Sequence, residues 1–298
     1  MNQLRGTGVA LVTPFLPTAN HAVDYPALRR LIDFTLDGGV DYLVINGTTA
    51  ESPTLSAEER AEILRVAQEQ VAGRVPLVFG LGGNHTEAVV HALRTTDLTG
   101  VVAILSASPY YNRPSQAGIV AHYQALADAS PLPLILYNVP GRTGSNLTAA
   151  TTLHLAQHPN IIGIKEASGN LEQCIAIAAG KPDDFLLISG DDMMTTSLVS
   201  FGAVGIISVL ANAFPRAFSD MTRHALAGNF AQASQLLYDF VPLNPLMYEE
   251  GNPVGVKTAL AAQGLCSATV RLPLIEASES LQERITLLTQ KMQAVAAE

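Results

Sequence analysis

Residues 133–168 read PLILYNVPGRTGSNLTAATTLHLAQHPNIIGIKEAS. Two apolar runs, PLILYNVP and IIGIKEAS, enclose a longer, more polar stretch. Each run is of strand length, rich in Ile, Leu or Val, and nearly continuous rather than alternating. That is how strands covered on both faces read. The same unit recurs along the chain. Further runs are GVALVTPF (8–15), DYLVING (41–47), PLVFGLG (76–82), GVVAILSAS (100–108), FLLISGDD (185–192) and AVGIISVL (203–210). Between them lie helical patterns such as YPALRRLIDFTLDGG (25–39) and SAEERAEILRVAQEQVAG (56–73), with apolar residues at three- and four-residue spacing. Ser56 and Glu59 form a capping box that opens the second of these, and Gly38, Gly39 and Gly73 mark helix ends. Eight strand–helix units predict an α/β fold, the closed (β/α)₈ TIM barrel, with a C-terminal helical extension. An open doubly wound sheet would carry a phosphate-binding fingerprint after its first strand, and this chain has none there. Residues 1–224 are read as the catalytic barrel and 225–298 as helices packed on it. The extension includes an amphipathic stretch, ALAGNFAQASQLLYDFV (225–241), and a last helix near IEASESLQERITLLTQKMQAV (275–295).

Composition narrows the function classes. The 298 residues are 48% hydrophobic and 14% charged, with a net charge of −9. That balance argues against nucleic acid and anionic membranes as partners. Two cysteines, Cys174 and Cys266, lie far apart and in no metal-ligand spacing, which predicts a reducing, cytoplasmic location. The apolar start is broken by Thr13 and Pro14 and reads as the first strand rather than a leader.

In such barrels the chemistry sits at the C-terminal ends of the strands. The polar residues expected there are Thr13, Asn46-Gly47-Thr48-Thr49, Ser106, Tyr137-Asn138, Lys165-Glu166, Asp191-Asp192 and Ser208. Lys165 stands out, because a lysine is expensive to bury in an apolar strand. By alternation it shares a face with Ile161 and Gly163, and Gly163 is expected to leave room for the lysine stem. Burial lowers an amine's pKa and makes it a nucleophile. The alternative is a lysine paired with Glu166 or with a rim aspartate. Tyr137, facing the same way on the neighbouring strand, suits proton transfer beside a Schiff base, although a strand tyrosine can also be simple packing. Gly47-Thr48-Thr49 offers N–H groups and two hydroxyls to a carboxylate, or makes an ordinary turn. His154 and His158 have metal-ligand spacing but lack the intervening glutamate, and read as helix C-terminal residues. Asp191-Asp192 read as the cap of the seventh helix.

Taken together, Gly47-Thr48-Thr49-Ala50-Glu51-Ser52, Tyr110-Tyr111-Asn112, Tyr137-Asn138-Val139-Pro140-Gly141-Arg142-Thr143, Gly163-Ile164-Lys165-Glu166-Ala167-Ser168, Ser189-Gly190-Asp191 and Gly251-Asn252-Pro253-Val254-Gly255-Val256-Lys257 resemble the dihydrodipicolinate synthase family. The resemblance covers the whole barrel and reaches the helical tail. It implies a pyruvate-dependent class I lyase with Lys165 as the Schiff-base residue and Tyr137 as proton donor and acceptor. Thr48 and Tyr111 complete a relay, Tyr111 reaching across from a neighbouring subunit. Thr49 and the backbone of Ile207 hold pyruvate. Arg142 grips the carboxylate of L-aspartate-4-semialdehyde, and the product is 4-hydroxy-tetrahydrodipicolinate, on the way to diaminopimelate and lysine. The resemblance implies no metal, no organic cofactor, and a homotetramer built from two dimers. Two rivals share Lys165: an aldolase of a keto-deoxy sugar acid or sialic acid, and an inactive keto-acid binder. The family usually has glycine where this chain has Ala50. If that position needs a positive φ, the Cβ strains the carboxylate-binding turn.

Overall fold

Eight short strands form the centre of the molecule: β1 (Gly6–Ala10), β2 (Tyr42–Ile45), β3 (Leu77–Gly80), β4 (Val101–Ala107), β5 (Leu134–Asn138), β6 (Ile161–Glu166), β7 (Leu186–Ser189) and β8 (Gly205–Ser208). The structure, a computed structural model, describes residues 2–297. Each strand pairs in parallel with the next, and β8 closes the barrel on β1 through Gly6–Gly205 to Val9–Ser208. The expected TIM barrel is therefore the fold of this chain.

The helices follow in chain order: α1 (Tyr25–Asp37), α2 (Ala57–Val71), α3 (Thr86–Thr95), α4 (Gln116–Ala129), the single turn α5 (Pro140–Thr143), α6 (Ala149–Leu155), α7 (Leu171–Gly180), α8 (Thr195–Ser200) and α9 (Pro215–Leu226). Beyond them lie α10 (Phe230–Tyr238), α11 (Val254–Ala262) and α12 (Glu279–Ala297). The capping box at the start of α2 forms in full: the Glu59 amide donates to Ser56 Oγ at 3.1 Å, and the Ser56 amide to Glu59 Oε2 at 3.0 Å.

Strand alternation divides the core in two. Ala10, Val44, Val78, Leu105, Ile135, Tyr137, Ile188 and Ile207 fill the inside of the barrel. Val9, Leu43, Ile45, Ile104, Leu134, Leu136, Ile164 and Leu187 pack between strands and helices. Both faces of every strand are thus apolar, which is why the sequence shows continuous runs.

The tail departs from its expected reading in two places. The amphipathic stretch 225–241 is not one helix. It breaks at Gly228, whose φ of +80° turns the chain left-handed between α9 and α10. The last helix begins at Glu279 rather than near Ile275, because Ser278 precedes it as a cap. Its Oγ accepts from the Leu281 amide at 3.4 Å, while its own amide and hydroxyl donate to the Glu250 carboxylate at 2.8 and 2.5 Å.

One polar group is buried deep behind the barrel mouth. Lys257 of α11 is fully buried and its Nζ meets Glu51 Oε1 at 2.5 Å. Removing one member of such a pair strands the other charge, at a cost of about 3–5 kcal/mol.

Candidate active site

Tyr137 and Lys165 are register partners across β5 and β6, so both point into the barrel at the same level. The Lys165 ammonium lies 4.4 Å from the centre of the Tyr137 ring. Lys165 is 4% exposed and Tyr137 8%. Glu166, the next residue on β6, faces the other way. Its carboxylate accepts from Asn138 Nδ2 at 3.0 and 3.2 Å, from the Ser168 amide at 2.7 Å and from Gln173 Nε2 at 2.9 Å. The alternative pairing of Lys165 with Glu166 is therefore excluded. Asn138 and Glu166 instead bond the tips of β5 and β6 to each other on the outer face, directly behind Tyr137 and Lys165.

The room for the lysine stem comes from a glycine other than the expected one. A Cβ on Gly163 would meet the Leu186 carbonyl oxygen at 2.6 Å, so that glycine admits β7 and not the lysine. A Cβ on Gly190 would stand 3.0 Å from Lys165 Cε, and 2.7 Å from the Ala167 Cβ. Gly190, just past the end of β7, is the residue that gives Lys165 its space.

Burial lowers the Lys165 pKa to about 8, with Asp192 raising it in opposition and Arg142 lowering it further. An amine of that pKa is roughly one-tenth free at pH 7, against well under one part in a thousand for an ordinary lysine. Burial likewise raises the Tyr137 pKa, opposed by the Arg142 charge and by a hydrogen bond from Thr48. The phenol therefore stays protonated at rest and can donate before it accepts.

Asp192 does not cap a helix, as Asp191-Asp192 together were expected to do. Asp191 does cap the turn ahead of α8, accepting from the Met193 and Met194 amides at 2.9 and 3.2 Å. Asp192 is 2% exposed and turns back to β8, accepting from Ser208 Oγ at 2.5 Å and the Leu210 amide at 3.1 Å. Burial raises its pKa to about 6, so at neutral pH it is mostly the anion facing Lys165.

Thr48 and Thr49 occupy a short turn, Thr48–Ala50, at the end of β2. Thr49 is buried, and its Oγ1 accepts from Asn252 Nδ2 at 3.1 Å, a partner from 203 residues away. The Ala50 carbonyl is held by Thr13 Oγ1 at 2.8 Å. The left-handed residue of this segment is Glu51, at φ 56°, one place beyond Ala50. Ala50 therefore does not strain the turn, and the feature that favoured an inactive binder loses its force. Ile207 is buried inside the barrel on β8. Ser106 takes no part. It lies on the outer face of β4, where its carbonyl accepts from Tyr123 at 2.8 Å.

Arg142 sits on α5, exposed, just beyond Tyr137. No carboxylate lies within ion-pair distance of it among the described residues. Tyr111 is 88% exposed with φ 75°, and is not packed against the Tyr137–Lys165 pair in this chain. Its amide donates to the Thr143 carbonyl at 3.2 Å, which ties its loop to the turn that carries Arg142. His154 lies in the last turn of α6, and His158 bonds Asp128 at 3.1 Å, so the two histidines are helix-end residues as expected.

Sequence reasoning gave Gly190 and Asn252 no role in this site, and it placed Asp192 at the barrel mouth but read it as a helix cap. Gly190 and Asp192 carry a signal in hindsight, a glycine and a carboxylate just past a strand end. Asn252 carries none locally, since only folding brings it to Thr49.

Residues 3–292 match the Dihydrodipicolinate synthetase family. A 4-hydroxy-tetrahydrodipicolinate synthase of Cytophaga hutchinsonii is 52% identical over 285 residues, covering 96% of this chain and 95% of that protein. One from Phocaeicola vulgatus is 53% identical over 274 residues, covering 92% of each. The structure of the Acinetobacter baumannii dihydrodipicolinate synthase complexed with pyruvate superposes with a TM-score of 0.93 at 37% identity, covering 96% of this chain and 98% of that one. With a buried amine on β6, a phenol beside it on β5 and a match along nearly its whole length, this chain belongs to the Dihydrodipicolinate synthetase family.

Proposed function

We propose that the chain catalyses the 4-hydroxy-tetrahydrodipicolinate synthase reaction, condensing pyruvate with L-aspartate-4-semialdehyde through a Schiff base on Lys165. The observation that carries this reading is the buried Lys165 amine facing the Tyr137 ring at 4.4 Å. The Lys165 amine attacks the pyruvate ketone, and Tyr137 gives a proton as water leaves to form the imine. The imine is an electron sink, so a methyl proton is lost and an enamine forms. The enamine carbon attacks the aldehyde of the second substrate. The amino group of that substrate then displaces Lys165 and closes the ring. Thr48 and Thr49 hold the pyruvate carboxylate with the backbone of Ile207. Thr48, whose side chain favours the Tyr137 anion, is the next member of the proton relay. Arg142, a cation at the mouth without an acidic partner among the described residues, receives the semialdehyde carboxylate. Borohydride with pyruvate should leave a reduced adduct on Lys165, and a coupled assay should show turnover with aspartate semialdehyde. An adduct mapped to Lys257 or Lys181, or preference for a sugar aldehyde, would overturn this assignment.

The same reading extends to organisation. Residues 1–224 are the catalytic barrel and residues 225–298 the helices packed on it. The protein is a homotetramer, a dimer of dimers, in which the exposed Tyr111 enters a neighbour's site and completes the relay. Its setting is the cytoplasm, where the two free cysteines stay reduced. Among the described residues, no helix is long and apolar enough to cross a membrane.

The charges around Lys165 set a pH dependence. The free amine reacts, so adduct formation rises with pH and levels off above about 8. Asp192→Asn removes the anion that favours the ammonium form, leaving Arg142 as the charge that acts on Lys165 and Tyr137 as its neutral neighbour. The acid limb should move down by roughly one pH unit. The measurement is the rate of borohydride-trappable adduct against pH at saturating pyruvate, and an unmoved limb would show that Asp192 does not set the charge of Lys165.

A further inference from the structure

Lys257 ends the Gly251–Lys257 motif, yet it lies outside the reaction just described. Its Nζ touches Glu51 Oε1 at 2.5 Å and the Thr269 carbonyl at 2.8 Å, and it stands 4.1 Å over the Phe15 ring. Glu51 completes its bonding with Oε2, which accepts from the Arg271 amide at 2.9 Å. The Arg271 guanidinium then grips both oxygens of Glu59 at 2.6 and 2.7 Å, and donates to the carbonyls of Thr54 and His21. Glu51 is therefore held from two sides by the C-terminal segment, and it is the left-handed residue that ends the Thr48–Ala50 turn. A buried carboxylate at the end of a three-residue turn fixes where that turn sits. Nothing in β2 itself does so: the turn's own bonds are the Ala50 and Glu51 amides to Gly47 and Thr48.

We propose that the Lys257–Glu51 ion pair is a positioning clamp, by which the C-terminal helices set the Thr48–Thr49 turn at the distance from Lys165 that pyruvate requires. Neither residue touches substrate. Asn252, five residues before Lys257, adds a second tie from the C-terminal segment through the Thr49 hydroxyl, beside the bond of Thr13 to the Ala50 carbonyl at 2.8 Å. The clamp explains why a lysine is buried at this depth. A well-packed apolar pair would serve stability as well or better, whereas opposite charges fix one geometry between segments 206 residues apart.

The proposal rests on the reading that Thr48 and Thr49 bind the pyruvate carboxylate, and the test separates the two. Two variants are compared with the parent protein. Glu51→Asp keeps the charge and suits a left-handed residue, but shortens the reach by one methylene. Glu51→Gln combined with Lys257→Met removes both charges and strands neither. Half-saturating pyruvate for adduct formation on Lys165 is measured, with kcat and the thermal midpoint. The expected result is a rise in half-saturation of about threefold for Glu51→Asp and about 5–10-fold for the neutral pair. kcat at saturating pyruvate should stay within about threefold, since Lys165 and Tyr137 are untouched. Adding Thr49→Val to either variant should give less than the product of the separate effects, because both act on one turn. Unchanged half-saturation in a folded Glu51→Asp protein, or effects that multiply in full with Thr49→Val, would overturn the clamp. If the neutral pair does not fold, Glu51→Asp decides alone. If the parent protein forms no pyruvate adduct on Lys165, the functional reading itself falls and the clamp with it.

Discussion

Tyr137→Phe should lower turnover by roughly 10²–10⁴-fold, the size of effect that follows loss of a positioned acid–base group. The ring will stay in place. Tyr137 is buried inside the barrel beside Ile135 and faces Lys165 across the β5–β6 register, and a phenyl ring fills nearly the same volume. What is lost is one hydroxyl. Burial keeps that hydroxyl protonated, while the Arg142 charge and the Thr48 hydrogen bond work to stabilise its anion. A phenol under those opposing influences can release and recover a proton within one cycle. Thr48 would then have no acid to relay to, so a double variant with Thr48→Val should lose little more than Tyr137→Phe alone. Pyruvate should still bind, because Thr49 and Ile207 remain. Steady-state kinetics beside equilibrium pyruvate binding makes the test, and near-parental turnover would reduce Tyr137 to packing.

The barrel was legible because its cause is local. A strand buried on both faces must be apolar throughout, and seven of the eight runs read from the sequence contain a whole strand; GVALVTPF covers the last three residues of β1, which starts two residues earlier at Gly6. Alternation assigned the faces of β5 correctly, Tyr137 with Ile135 and opposite Leu134 and Leu136, but it misplaced Ile161: a register shift at the start of β6 puts Ile161 on the helix side and Ile162 with the barrel interior, so Lys165 does not share a face with Ile161. Where the reading failed, the cause was another segment. Gly163 was read as space for Lys165, yet its missing Cβ is occupied by the Leu186 carbonyl of the next strand. Ser106 was read as polar at a strand end, but its position along β4 turns it outward. Asp192 was read with Asp191 as the cap of the seventh helix. Its burial against Ser208, sixteen residues on, decides its direction. Ala50 was read as a possible strained position because a family difference points to the residue and not to its φ. The strain belongs to Glu51, and the partner that holds Glu51 there lies at the far end of the chain. Contacts between distant segments leave no periodic mark, so the clamp and the Asn252–Thr49 bond were not readable.

Arg142→Ala is the other change expected to matter greatly, and it tests substrate class rather than chemistry. Arg142 rides on α5, which starts at Pro140 and closes with the left-handed Gly144. The Arg142 amide donates to the Val139 carbonyl at 2.9 Å, so the turn fixes where the side chain departs. That turn follows β5 directly, which places a guanidinium at the rim above Tyr137 and Lys165. The sequence allowed a rim salt bridge as its role, worth about 0–1 kcal/mol, but among the described residues it has no such partner. A cation at a site mouth without an acidic partner is free for an incoming carboxylate, and its planar fork can hold one with two parallel N–H···O bonds. Aspartate semialdehyde brings that carboxylate; a neutral sugar aldehyde does not. Loss of a charge-assisted contact is worth about 1.5–3 kcal/mol, or roughly 10–150-fold in kcat/KM for the semialdehyde. Because Arg142 is exposed in the free chain, solvent screening draws the expectation towards the lower end. Imine formation with pyruvate alone should change far less, since the proposed reaction gives that carboxylate to Thr48 and Thr49 at the end of β2 rather than to Arg142. Arg142→Lys should recover only part of the loss, because an ammonium keeps the charge without the fork. The paired measurement is steady-state kinetics with varied semialdehyde and borohydride trapping with pyruvate alone. A large loss in the first with little change in the second places Arg142 on the second substrate. Equal losses in both would place it on the imine, and no loss in either would remove the residue-level ground for preferring the semialdehyde over a sugar acid.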